Sequence, residues 1–172
     1  MNRLNKIAKK LVEEKTKDNI ELFKVLDDFD KFCLNKFYNM NFEIVETYSD
    51  ETILFEASKN DYAEVVEYLI GKGININIQD KDKWSPLLIA SINNSLEVIK
   101  LLLQQPNIDV NLRNSHLSTA LIIASKYGHI NVVELLLQHE NIDVYIKDDV
   151  FKIALQYAKT DKIEQLLIKY GR

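Results

Sequence analysis

Glycine is scarce in this chain of 172 residues, and so are proline, methionine, cysteine and tryptophan, with four, two, two, one and one copies. Each scarcity excludes something. Four glycines leave no glycine-rich loop of the kind that cradles phosphate. One cysteine, Cys33, cannot close an internal disulfide, so a reducing compartment is the default. An excess of basic charge is also missing. With 22 Lys and Arg against 26 Asp and Glu, the net charge is -4, and the footprint that nucleic acid requires is absent. Long hydrophobic runs are missing too. The opening MNRLNKIAKKLVEEKTKD starts with basic residues, as a signal peptide would, but Glu13, Glu14 and Lys15 interrupt it, and no run approaches the length of a membrane span. These absences predict a cytoplasmic protein that binds neither nucleic acid nor membrane. The 47% apolar and 28% charged content is that of a globular domain with a sizeable core.

What is present is repetition. The stretches TILFEA from Thr52, SPLLIA from Ser85, TALIIA from Thr119 and IALQYA from Ile153 begin 33, 34 and 34 residues apart. Leu54, Leu87, Leu121 and Leu155 share one register, as do Ala57, Ala90, Ala124 and Ala158. A second block follows the first three: AEVVEYLI, LEVIKLLL and INVVELLL. A third closes each unit: ININIQD, NIDVNLRN and NIDVYIKD. Self-similarity at this period marks stacked supersecondary units.

Each block has a physical reading. A Thr or Ser before Pro or Ala predicts a capped first helix. Asp61, Asn94 and Gly128 share the slot after it, and all three tolerate the left-handed backbone of a tight turn. The VVxLLL block predicts a second helix, apolar on several sides because it lies between neighbours. The alternating NIDVN block predicts an extended arm or hairpin.

Together these blocks resemble the ankyrin repeat, a β-turn and two antiparallel helices with a T-P-L-H-x-A signature. The resemblance implies an all-α repeat solenoid, with stacked helix-turn-helix repeats and short β-hairpin fingers. It divides the chain into repeats at 48–80, 81–114 and 115–147, with a shortened capping repeat at 148–172. Residues 1–47 read as a helical N-terminal cap, a degenerate repeat plus the apolar insertion DDFDKFCLNKFYNMNFEIVE. The last unit lacks about one helical turn, and its Lys159, Asp161, Lys162, Glu164, Gln165 and Lys169 suit the polar outer face of a terminal cap.

Departures from the family pattern are informative. Phe55, Leu88, Ile122 and Gln156 replace the signature histidine. Asp50, Lys83, Leu117 and Phe151 replace the usual turn glycine. Either these fingers bend differently, or each carries strain of about 1 kcal/mol from a non-glycine residue at positive φ. Units two and three hold one extra residue in the loops QQPN and QHEN, the first stiffened by Pro106.

No catalytic constellation emerges. Cys33 is at least two repeats from His116, His129 and His139, and reads as a small buried residue of the cap. His129 occupies the family's Gly-His pair, where a histidine stabilises a turn. Asp80-Lys81-Asp82 lacks the glycine and the glutamate of a calcium loop and reads as solvated turn carboxylates. Asp27, Asp28 and Asp30 read as a solvated run. The expectation is a protein without enzymatic activity, cofactor or metal.

The stack itself is then the functional feature, because solenoids present an extended concave surface. By the resemblance, partners contact finger tips and the exposed edge of the first helices. In the first unit those slots hold Tyr48, Ser49, Glu51, Lys59 and Asn60. In the second they hold Lys81, Asp82, Trp84, Ile92 and Asn93, and in the third Ser115, His116, Ser118, Lys126 and Tyr127. The last unit offers Asp149, Val150 and Lys152. Tyr48, Trp84 and Tyr127 are of the types enriched at hot spots. Polar Lys81, Asp82 and Lys83 around Trp84 predict an exposed indole. The expected function is that of a monomeric protein-binding module, an adaptor or an inhibitor. The competing expectation is a small immunity or antitoxin-like protein, or a microbial effector, that occludes a partner enzyme.

Overall fold

The computed structural model describes residues 50–171. The expectations for the N-terminal cap, for Cys33 and for Tyr48 lie outside those residues. The chain divides into two compact units, Met1–Ile53 and Leu54–Arg172. Of the first, only residues 50–53, the opening of one helix, are described.

Among the described residues there are seven α-helices, one 3₁₀ turn and no strand. They are α1 (Asp50–Lys59), α2 (Ala63–Gly71), α3 (Pro86–Asn93), α4 (Leu96–Leu103), α5 (Ala120–Tyr127), α6 (Ile130–Leu137), the 3₁₀ turn (Ala154–Tyr157) and α7 (Asp161–Tyr170).

The local chemistry explains the boundaries. Leu88 donates its N–H to the Ser85 hydroxyl at 3.3 Å, and Pro86 fills the first helical position of α3, where a missing N–H costs nothing. Thr119 caps α5 in the same way through Ile122, at 3.3 Å. The predicted left-handed slot is confirmed, with φ of 57°, 58° and 82° at Asp61, Asn94 and Gly128. The first helix departs from the pattern. α1 begins at Asp50, so Thr52 lies inside the helix and not at its cap.

In the second compact unit the helices form two rows. α3 packs on α5 and α5 on the 3₁₀ turn, while α2, α4, α6 and α7 pack in sequence. Leu54, Leu87 and Leu121 from the leucine register are buried, as are Ala57, Ala90 and Ala124. The alanines leave room for close helix approach, and each buried leucine contributes about 1.5–3 kcal/mol. Leu155 and Ala158 continue that register and are only half-buried; among the described residues the last unit packs on α5 and α6.

The arms between units are joined by asparagine. Asn77 Nδ2 donates to the Asn107 carbonyl at 2.6 Å, and its Oδ1 accepts the Asp109 N–H at 2.9 Å. Asn111 repeats this with Asn141 and Asp143, at 2.7 and 3.0 Å. The next slot holds Tyr145, whose hydroxyl donates to the Gly171 carbonyl.

The fingers are turns closed by two backbone bonds. Lys83 N–H donates to the Asp80 carbonyl at 2.9 Å, and Asp80 N–H to the Trp84 carbonyl at 3.0 Å. This is the bonding of a tight hairpin whose third loop residue is left-handed. The same pair of bonds recurs at Asn114–Ser118 and Asp148–Lys152. Lys83, Leu117 and Phe151 have φ of 60°, 56° and 63°. These three fingers therefore keep the glycine backbone without glycine and carry the strain, whereas Asp50, in the same slot, opens helix α1.

Candidate partner-binding face

One side chain organises each finger from within. Asp80 Oδ1 accepts the N–H groups of Asp82 and Trp84 at 2.9 and 2.8 Å. Asn114 Oδ1 accepts those of His116 and Ser118 at 3.0 and 3.1 Å. Asp148 Oδ1 accepts those of Val150 and Lys152 at 3.1 and 3.0 Å. Asp80 thus holds its turn, beyond the solvated role expected for it. The signal was available in the sequence. Asp, Asn and Asp recur at a 34-residue spacing, and these are the types that bond their own backbone two residues on.

Adjacent fingers are also bonded to each other. Ser115 N–H donates to the Asp82 carbonyl at 2.9 Å, and Asp149 N–H to the His116 carbonyl at 3.1 Å. His116 Nδ1 lies 3.1 Å from Asp149 Oδ2, with both side chains exposed. Exposed Lys81, Asp82 and His116 are thereby held in one row.

The first helices supply the second row. Lys59, Asn60, Asn93, Lys126 and Tyr127 are exposed, and Ile92 is half-buried. The Asn60 and Asn93 amides each donate to a carbonyl of their own helix, of Glu56 and Ile89, at 2.8 Å. His129 Nε2 lies 3.1 Å from the Ile92 carbonyl. A carbonyl can only accept, so this nitrogen carries the proton, and the ring ties the third unit to the second. Tyr127 stacks on that ring with 6.1 Å between centroids. Glu51 is exposed on α1, within the first compact unit.

Trp84 differs from expectation. It is half-buried and does not stand out in solvent. The polar neighbours that suggested exposure belong to the turn itself. Trp84 closes that turn with both its N–H and its carbonyl, and it leads directly into buried Ser85 and Pro86.

The large exposed apolar side chains lie elsewhere. Leu117 is 37% exposed, Val150 57% and Phe151 80%. Val150 was a candidate from its slot. Leu117 and Phe151 were not, because they occupy the turn-glycine slot and read as backbone exceptions.

The last finger has a polar network of its own. The Tyr157 hydroxyl donates to Asp148 Oδ2 at 2.5 Å. The Lys126 and Lys152 ammonium groups lie 5.6 and 5.4 Å from the Tyr157 ring centroid. Burial works to raise the Asp148 carboxyl. The Tyr157 hydroxyl, the N–H groups of Lys152 and Val150 and the Lys152 charge outweigh it and hold the carboxyl below its usual value. The same hydrogen bond, with burial and the charges of Asp148 and Asp149, pushes the Tyr157 phenol up to about 12.

At the far end of the stack Val144, Tyr145, Ile153, Leu155, Leu167 and Ile168 line an apolar recess of about 200 Å³. The six polar residues expected on this end are exposed, but Tyr145, Ile168 and Tyr170 are exposed among them. Among the described residues, no three His, Cys, Asp or Glu side chains come together to hold a metal ion. None of the helices described is long and apolar enough to cross a membrane.

Comparison with known proteins agrees with this architecture. The sequence profile of the family described as "Ankyrin repeats (3 copies)" matches residues 3–114 and 54–148. The chain belongs to the ankyrin-repeat family. Ankyrin repeat protein FPV031 of fowlpox virus (strain NVSL) is 44% identical over 54 residues, 30% of this chain and 16% of that protein. Transient receptor potential cation channel subfamily A member 1 of Homo sapiens is 37% identical over 70 residues, 40% of this chain and 6% of the channel subunit. The chain thus spans less than a fifth of the length of either relative. Ankyrin repeats generally mediate protein–protein interaction, and the family is typically non-enzymatic.

Proposed function

We propose that the chain is a protein-binding module, an adaptor or an inhibitor that engages another protein through its finger tips and first-helix edge. The supporting observation is the bonding of finger to finger, Ser115 to Asp82 and Asp149 to His116. A row held by its own backbone loses little conformational entropy on binding, so a few anchors suffice. Lys59, Lys81, Asp82, Asn93, His116, Lys126 and Tyr127 are the exposed candidates for contact. In this reading the module acts as a monomer in the cytoplasm. Affinity capture from the source organism, repeated with a Lys81→Ala/Tyr127→Ala variant, tests it. Capture of the principal partner is expected to fall at least about tenfold, the mark of anchor residues. Undiminished capture by the variant removes this face from the account.

A further inference from the structure

Phe151 bears two penalties that its own fold does not offset. Its backbone is left-handed at φ 63°, a conformation that glycine adopts freely, and its ring is 80% exposed. Folding stability alone favours glycine there. Strain kept at an exposed aromatic residue points to use by a partner. Val150 beside it is 57% exposed, and Leu117, in the same slot of the adjoining finger, is 37% exposed. The Asp149–His116 backbone bond holds those two fingers together, so Leu117 sits on the finger next to the one that carries Val150 and Phe151.

The charge around the tip indicates what covers it. Lys126 and Lys152 gather over the Tyr157 ring, and exposed Lys147 precedes the finger. Three lysines thus face two carboxylates, Asp148, which is bonded by Tyr157, and Asp149, which lies 3.1 Å from His116 Nδ1. Resting on the protein-binding reading above, we propose that Val150 and Phe151 are the anchor of the surface. Their partner is a protein segment that carries apolar side chains next to carboxylates. A second copy of the chain would set lysines against lysines.

The test pans a phage-displayed random peptide library on the full chain. Enriched peptides are expected to combine Phe, Leu or Trp with Asp or Glu. A synthetic enriched peptide is expected to bind Phe151→Gly at least about tenfold more weakly than wild type. It is expected to bind Lys83→Gly, which alters the same slot of a charged finger, as well as wild type. Both glycine variants are expected to melt at higher temperature, so unfolding cannot explain the loss. Peptides without acidic residues overturn the proposal, as does equal binding to Phe151→Gly. Phosphatidylserine vesicles that sediment wild type but not Phe151→Gly would assign the tip to membrane. A dimer in analytical ultracentrifugation that Phe151→Gly dissolves would assign it to a second copy. A peptide indifferent to Phe151→Gly but weakened by Lys81→Ala/Tyr127→Ala removes the tip and leaves the broader reading. Failure to enrich any peptide overturns the peptide-segment proposal and leaves the broader reading to the capture experiment.

Discussion

In the third helix pair Thr119 caps an eight-residue helix, and Gly128 ends it at φ 82°. Thirty-four residues further on, Ile153 stands where the cap should be, and only a four-residue 3₁₀ turn follows. The replacements are long side chains. The Gln156 side-chain Oε1 accepts the Ile153 N–H at 3.0 Å, and Tyr157 reaches Asp148. Thr160 then caps α7 by accepting the Ile163 N–H at 3.3 Å. An inner unit is clasped on both sides, and burial with one hydroxyl cap suffices. Among the described residues the end unit packs on one neighbour, and it depends on polar side chains that span its own finger.

The largest expected break in this comparison is in the core. Leu121 is 1% exposed, and Leu121→Ala is expected to lower stability by about 2–5 kcal/mol in urea denaturation. Leu155→Ala, at the same register position but half-buried beside the recess, is expected to lose clearly less. Equal losses would mean that the last unit is packed like an inner one.

Next in size is the Tyr157–Asp148 bond, which concerns the last unit alone. Tyr157→Phe is expected to lose about 1.5–3 kcal/mol near neutral pH, the range for a hydrogen bond to a charged group. The pH dependence follows from the two shifts. Asp148 is depressed on folding, so its contribution is present above about pH 4 and fades as pH falls through and below that value. Tyr157 is raised, so its contribution is complete below about pH 10 and fades as pH rises toward about 12. The stability gap between wild type and Tyr157→Phe should therefore narrow in acid and in strong base. A gap constant across the whole range would show that the bond does not carry the effect.

The smallest effect compares three serines in one slot. Ser58 and Ser125 each donate to a carbonyl four residues back, of Leu54 and Leu121, at 2.7 Å. Ser91, equally buried, has no partner for its hydroxyl. Ser125→Ala is expected to cost about 0.5–1.5 kcal/mol, whereas Ser91→Ala should be neutral or stabilising. Thermal melting of the two variants decides it, and a comparable loss at Ser91 would mean that its hydroxyl is bonded in solution.

The repeat was legible because its burial is periodic. The leucines, alanines and left-handed slots keep one spacing, and the inner cap hydroxyls do too, so each copy supports the reading of the others. The site was less legible for the opposite reason. Exposure at a finger tip depends on the turn closing over Asp80, Asn114 and Asp148, which no single copy announces. Trp84 looked exposed because its neighbours are polar, yet those neighbours form the loop it closes. Phe151 looked like a backbone exception because one slot sets both the turn's φ and the side chain shown to solvent. The start of α1 was missed because Asp50 extends the helix past the position that Ser85 and Thr119 cap.

The asparagine joints also grade the grip between neighbouring arms along the stack. Asn77 and Asn111 each grip the next unit with one bond given and one taken, so two bonds must part together. Tyr145 grips the last unit with one. The Asp149–His116 backbone bond crosses that last boundary as well, so the arm joint there is lighter by one bond while the finger joint is kept.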